Sequence, residues 1–219
     1  MIKCCIFDLD GTLLDTLDTI TYYVNKTLLA HGIESITREE CSGFVGNGAD
    51  SLIRRSLESR GIVDEDLCCK YLAEYKSYYE ENPYYLTRPY DGIEELISTL
   101  RKREILLAVL SNKPERATRA TVSHFFGDSF RIVFGGRDNI PLKPAPDSAF
   151  EILERLSLSP YECAYVGDTE TDVHTAKNFG ALVSIAVLWG FRTKEELINS
   201  GAECLVCHPR EIVKILGLS

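Results

Sequence analysis

The sequence predicts an α/β protein: a doubly wound parallel sheet interrupted after its first strand by an all-helical insert. Three observations carry that prediction. Short runs of branched apolar residues alternate with helical patterns along most of the chain, as parallel strands joined by helical crossovers do. Residues able to do chemistry follow several of those runs directly, where open α/β sheets place their sites. Residues 14–88 carry helix starts and stops but no convincing strand.

Residues 2–7 are an apolar strand that ends at Asp8. A helix over 15–31 is closed by Gly32, and Thr37-Arg38-Glu39-Glu40 is a capping box that opens the next. Helix 49–60 is closed by Gly61, and helix 65–81 is stopped by Pro83. Beyond Pro89-Tyr90-Asp91-Gly92, the spacing of Ile93, Leu96, Ile97 and Leu100 gives a helix with one apolar face. Strand 105–110 ends at Ser111-Asn112, and Pro114 begins a helix that runs to His124. Then follow strand 132–134, helix 147–156, strand 163–166, helix 172–179 capped by Gly180, strand 182–187, helix 193–199 and a short strand over 203–206 stopped by His208-Pro209. The expected division is a core of residues 1–13 and 89–219 and a helical domain of residues 14–88.

The chain has 219 residues, 45% of them hydrophobic, with 24 Lys+Arg against 33 Asp+Glu and so a charge of −9. That sign argues against nucleic acid as a partner, since phosphate backbones are held by clustered cations. The longest nearly apolar stretches, 105–110 and 181–189, fall far short of the ~18 residues that cross a bilayer. Asp8 arrives too early for a secretory hydrophobic segment, so the expected location is cytoplasmic and the eight cysteines are expected to be reduced thiols. Cys204-Leu205-Val206-Cys207-His208 has haem-attachment spacing, but it reads better as a strand end than as a haem or zinc site. Oligomeric state is not legible.

The strand ends carry Asp8 and Asp10, then Ser111 and Asn112, then Lys143, then Asp168 and Asp172, all expected in one crevice. Several carboxylates in a small volume repel one another, and a divalent cation resolves this; an all-oxygen ligand set favours magnesium. Lys143 and the Ser111 hydroxyl suit an anionic oxygen group beside that metal. Asp8, on a rigid strand end, is placed to attack phosphorus, and Asp10 to carry a proton to and from the reacting oxygens. Gly11 permits the sharp turn, which Thr12 can hydrogen-bond.

Ile6-Phe7-Asp8-Leu9-Asp10-Gly11-Thr12-Leu13, Ser111-Asn112-Lys113, Lys143-Pro144 and Val166-Gly167-Asp168-Thr169-Glu170-Thr171-Asp172 resemble the four ordered motifs of the haloacid dehalogenase superfamily, in its phosphatase branch. The resemblance covers essentially the whole chain and implies a Rossmann-like core. It implies that Asp8 is the nucleophile and Asp10 the general acid/base. It implies that Ser111, with Asn112 in the same motif, and Lys143 bind the phosphoryl group. Mg2+ would be held by Asp8, the backbone carbonyl of Asp10 and Asp168, with Asp172 orienting the metal waters or the lysine. The helical insert resembles the cap of such enzymes. Within it, Phe44-Val45-Gly46-Asn47-Gly48-Ala49 resembles the cap segment of phosphoglycolate phosphatases, which marks Gly46, Asn47, Gly48 and Arg54 or Arg55 as substrate contacts. The implied activity is a magnesium-dependent phosphatase acting on a small phosphorylated metabolite, first of all 2-phosphoglycolate. The alternatives are a phosphomutase of the β-phosphoglucomutase kind, or a non-catalytic phospho-acceptor or binding module, which Asp-x-Asp-Gly-Thr and the size of the insert do not suit.

Several of these residues have plainly structural alternatives. Asp172 can cap its helix, Gly46-Asn47-Gly48 can be a helix-linking turn, and Arg54 and Arg55 can be ion-paired at the surface. Tyr71, Tyr75, Tyr78 and Tyr79 read as packing within the insert, and His31, His124 and His174 as structural.

Overall fold

The computed structural model describes residues 1–218, so Ser219, the last residue of the expected core, lies outside the described residues. The elements in chain order are β1 (Cys4–Phe7), β2 (Leu14–Asp15), α1 (Leu17–Ala30), α2 (Arg38–Phe44), α3 (Gly48–Glu58), α4 (Glu65–Glu81), β3 (Arg88–Pro89), α5 (Ile93–Lys102), β4 (Leu106–Pro114), α6 (Glu115–Phe126), β5 (Ile132–Gly136), α7 (Asp147–Leu156), β6 (Cys163–Gly167), α8 (Glu170–Phe179), β7 (Val183–Val187), α9 (Lys194–Asn199), β8 (Cys204–Val206) and α10 (Pro209–Ile215). Six strands form one sheet in the order β5-β4-β1-β6-β7-β8, and every pairing in it is parallel.

Strand alternation divides the core into two layers. Cys5 and Phe7 of β1 and Leu107 and Val109 of β4 point to one face, where they pack with Ile93, Leu96, Ile97 and Leu100 of α5. Cys4 and Ile6, with Ala108 and Leu110, point to the other face, against Ile152 and Leu153 of α7 and Phe179 of α8. Because both faces are covered, the central strands are apolar throughout and show no amphipathic period. All of the predicted core strands and helices are present.

Helices α1 to α4 enclose a hydrophobic cluster of their own, built from Leu17, Val24, Leu28, Ile53, Leu57 and the buried rings of Tyr71, Tyr75 and Tyr79. Thr37 opens α2 through the expected capping box, its hydroxyl accepting from the Glu40 amide while the Glu40 carboxylate accepts from the Thr37 amide. Asp64 opens α4 by accepting from the Leu67 amide.

Four local expectations are corrected. The block read as free of strands begins and ends with one: β2 and β3 pair antiparallel, Leu14 opposite Pro89 and Asp15 opposite Arg88. The outgoing and returning chains run side by side there, and a two-residue ladder is too short to leave an alternating pattern. Strand β4 does not stop at Leu110 but continues through Ser111, Asn112 and Lys113, with an irregularity in its register against β5 between Leu110 and Pro114. Helix α8 begins at Glu170 rather than Asp172, capped by Thr169. Helix α10 was not expected: its short stripe holds only Pro209 and Ile212 buried, and the His208 ring caps it by accepting from the Arg210 amide at 3.2 Å. The His208 ring is thus engaged at a helix start, and Cys207 is exposed.

Candidate active site

The crevice lies at the C-terminal ends of β1, β4 and β6. Asp8 follows β1 directly, and its amide donates to the Val166 carbonyl of β6 at 2.9 Å. The chain then turns back so tightly that the amides of Thr12, Leu13 and Leu14 all donate to the Leu9 carbonyl. Gly11 makes that turn with φ +85°, and a Cβ there would overlap the Asp168 carboxylate. Thr12, expected to hydrogen-bond the turn, reaches across the crevice instead and donates to Asp168 Oδ1 at 2.8 Å. The Phe191 amide holds the other Asp168 oxygen at 2.8 Å.

Asp172 closes a capping box on Thr169, as a structural reading expects, and does more. Its Oδ2 accepts from the amides of Asp168 and Thr169 and from the Thr169 hydroxyl, at 3.2, 3.0 and 2.7 Å. Its Oδ1 accepts from Lys143 Nζ at 2.7 Å and from the Tyr165 hydroxyl at 3.0 Å. Lys143 Nζ also pairs with Asp8 Oδ1 at 2.8 Å, and that buried oxygen has no other polar partner among the described residues. The Asn112 amide group is used up on backbone: Oδ1 accepts from the Lys143 amide at 2.8 Å, and Nδ2 donates to the carbonyls of Lys143 and Gly46 at 3.0 and 3.1 Å. Asn112 therefore sets the lysine, and both Ser111 and Asn112 line the cavity.

Side-chain oxygens of Asp8, Asp168 and Asp172 lie within 4.8 Å of one another, and all three residues are buried. Burial first, and the Asp172 charge second, raise the Asp8 carboxyl to about 7; the same two causes in the same order raise Asp168 well above its ordinary range. Burial opposes ionisation of Asp172 too, but the Lys143 charge and the hydrogen bonds of Lys143 and Thr169 hold it below its ordinary value. Burial likewise opposes the Lys143 charge, which Asp172 and Asp8 nevertheless hold firmly on. One ammonium cannot balance all three carboxylates if they are ionised together. A divalent cation fits that deficit. The donor set is all oxygen, the Asp8 carboxylate has Lys143 as its one polar partner among the described residues, and Asp172 is already saturated by its own donors, so Asp8 and Asp168 are the side chains with capacity to bind a hard ion such as Mg2+.

Between this cluster and the helical insert lies a cavity of about 70 Å³ lined by Asp8, Asp10, Ser111, Lys143 and, from the insert, Gly46, Gly48, Ala49, Leu52, Tyr75 and Tyr79. Asn47 is not among the lining residues; its Oδ1 accepts from the Thr171 hydroxyl at 3.0 Å, which docks the loop onto the core. Arg54 is not brought to the crevice. It forms a two-pronged pair with Glu65 at 2.6 and 2.9 Å and faces Asp50 one turn back, because this side of α3 meets the start of α4. Arg55 donates to the Gly43 carbonyl at 3.3 Å.

Three residues were missed by the sequence reading. Lys113, quoted only as the tail of a motif, is buried with its Nζ 3.0 Å from Asp10 Oδ1 and 2.7 Å from the Tyr79 hydroxyl. Tyr165 looks like any apolar strand residue, yet its hydroxyl joins Lys143 and Asp172. Arg192 donates to the Ser42 and Val45 carbonyls of the insert at 2.7 and 2.8 Å and to Glu170 of the core at 2.9 Å. Only the position of Lys113, next to Ser111-Asn112, was a usable signal.

A family model described as haloacid dehalogenase-like hydrolase matches residues 5–186. A phosphoglycolate phosphatase of Aquifex aeolicus (strain VF5) is 28% identical over 215 residues, 98% of this chain and 96% of that protein. A phosphoglycolate phosphatase of Pseudomonas putida is 35% identical over 184 residues, 81% of this chain and 66% of that protein. Among solved structures, a protein of Lactobacillus delbrueckii subsp. bulgaricus provisionally described as a phosphoglycolate phosphatase is similar with a TM-score of 0.92 at 31% identity, covering 98% of both chains. A β-phosphoglucomutase from Clostridium difficile shares the fold, with a TM-score of 0.80 at 20% identity over 99% of this chain and 96% of that one.

Proposed function

The chain belongs to the haloacid dehalogenase-like hydrolase family, and from that premise we propose that it is a magnesium-dependent phosphatase that hydrolyses a small phosphate monoester through an aspartyl-phosphate at Asp8. The observation that carries the reading is Asp8: a buried carboxylate that lines a cavity, with the Lys143 ammonium 2.8 Å from its Oδ1 and no other polar partner for that oxygen among the described residues.

Asp8 and Asp168, with the Asp10 backbone carbonyl, would hold Mg2+, which screens the negative charge of nucleophile and phosphoryl group from each other. Asp8 attacks phosphorus as the bond to the leaving oxygen breaks, and the Asp10 carboxyl gives its proton to that oxygen. In the second half, water attacks the phosphoryl group, its proton passes to Asp10, and the acyl-phosphate bond breaks to return the Asp8 carboxylate and release phosphate. Ser111 and Lys143 bind phosphoryl oxygens; Asn112 and Asp172 keep Lys143 in place through the contacts described above. Residues 14–88 act as a cap over a core of residues 1–13 and 89–219, excluding bulk water during the reaction.

Within this reading the substrate is 2-phosphoglycolate. The names of the relatives support it. Its carboxylate would meet the backbone of Gly46 and Gly48, at the start of α3, rather than Arg54. The test is phosphate release from 2-phosphoglycolate, β-glucose 1-phosphate, pyrophosphate and a nucleoside monophosphate, with and without Mg2+. Mg2+-dependent release with a preference for 2-phosphoglycolate is expected. Isomerisation of β-glucose 1-phosphate without phosphate release would contradict it.

A further inference from the structure

The mechanism above leaves the buried Lys113 without a role. Lys113 sits on the extension of β4 with its side chain 5% exposed, and an ammonium leaves water only where its charge and its donors are answered. Its backbone is fixed on both sides: the amide donates to Ser111 Oγ at 3.2 Å, and the carbonyl accepts from the Thr118 hydroxyl at 3.0 Å. The side chain therefore has little choice of direction. Nζ reaches Asp10 Oδ1 at 3.0 Å and the hydroxyl of Tyr79, on α4 of the insert, at 2.7 Å. Among the described residues only Oδ1 of the Asp10 carboxylate is hydrogen-bonded, and Asp10 lines the cavity.

We propose that Lys113 is a positioning residue for Asp10: it pins Oδ1 so that Oδ2 faces the reacting oxygen, and the Tyr79 hydroxyl makes that placement depend on α4 being seated over the crevice. The inference rests on the reading of Asp10 as the proton carrier. Lys113 makes the bridge between the core and the insert here, so a shift of the insert reaches the acid/base group without passing through the substrate. A proton carrier contributes only at hydrogen-bond reach of its target, which makes its rotamer part of the catalytic geometry.

The test is kcat/KM for Lys113→Met, Tyr79→Phe, Asp10→Asn and the Lys113→Met/Asp10→Asn double variant, on an alkyl phosphate from the panel above and on p-nitrophenyl phosphate. The alkyl leaving group needs a proton; the nitrophenolate departs without one. Lys113→Met is expected to lower kcat/KM on the alkyl ester by about tenfold or more, with a much smaller loss on the aryl ester. It is expected to cause no further loss once Asp10 is Asn. Tyr79→Phe, which keeps the ring and its packing, should show a weaker loss with the same preference for the alkyl ester, and Lys113→Arg should recover part of the activity. Equal losses on both esters, losses that multiply with Asp10→Asn, or no loss at all would overturn the proposal. If wild type hydrolyses neither ester, the phosphatase reading falls first and this inference with it; an active wild type with a multiplicative cycle overturns this inference alone.

Discussion

The Phe191 amide donates to Asp168 Oδ2 at 2.8 Å, while the Phe191 carbonyl accepts from the Ser42 hydroxyl of the helical insert at 3.2 Å. One residue beyond, the Arg192 guanidinium clasps two carbonyls of the same insert. The loop after β7 therefore grips the proposed metal carboxylate on one side and the proposed cap on the other. A Cβ at Gly190 would fall against both the Asp168 side chain and the Gly11 backbone, so the loop approaches the site closely only because that position is glycine.

Arg192→Met removes the clasp without emptying its volume. Its three charge-assisted contacts are nearly buried, the side chain being 7% exposed, so the insert loop around residues 42–48 should become more open to limited proteolysis and KM should rise several-fold. Arg54→Ala is the matched control. Its pair with Glu65 is at the surface, where solvent screens it, so KM should stay within about twofold of wild type. A large KM effect from Arg54→Ala would restore that arginine as a substrate contact.

Lys143→Met leaves Asp8 and Asp172 facing each other without their shared cation. Breaking a buried pair by removing one partner costs about 3–5 kcal/mol, so urea unfolding of the metal-free variant at pH 8 should show a loss of that order, together with loss of turnover. A loss below about 1 kcal/mol would mean that the three carboxylates are less dry than the structure has them.

The metal-free protein should also carry a distinctive pH dependence. Burial, and then the Asp172 charge, raise Asp8 from 3.8 to about 7. A carboxyl whose folded pKa exceeds its unfolded one binds more protons when folded, so its contribution is most favourable below the unfolded value and is lost as pH rises through the folded one. Asp168 shifts in the same direction. Between about pH 4 and about pH 7 the melting temperature of metal-free wild type should fall relative to Asp8→Asn, which removes that titration. Added Mg2+ should restore it at pH 8, since binding to the folded state alone stabilises it. A parallel pair of curves, or no response to Mg2+, would contradict the cluster's assignment as a cation site.

What was legible in the sequence follows from range of contact. Asp8 and Asp168 directly follow β1 and β6, which apolar runs mark locally, and the Thr37 capping box and the Gly180 stop are also local signals; Ser111 instead lies within β4 and Lys143 in the loop beyond β5. The four residues converge because the strands are parallel and adjacent in one sheet. The missed features are contacts between distant segments: Lys113 with Asp10 is 103 residues apart, and Arg192 with Val45 is 147. No periodicity encodes such a pair. Arg54 is held away from the crevice for the converse reason, since its partners Asp50 and Glu65 are close in sequence and claim it first. The β2–β3 ladder lay below the length at which alternation becomes visible.

The central claim is that Asp8 accepts the phosphoryl group, and rapid quenching in acid during turnover of 2-phosphoglycolate with Mg2+, followed by mass analysis of the peptides, tests it directly. The account predicts a phosphoryl adduct on the peptide containing Asp8, absent from Asp8→Asn, whose turnover should fall by at least about a thousandfold with its fold intact. An Asp8→Asn protein that still releases phosphate at a wild-type rate, or an adduct on any other residue, would contradict it.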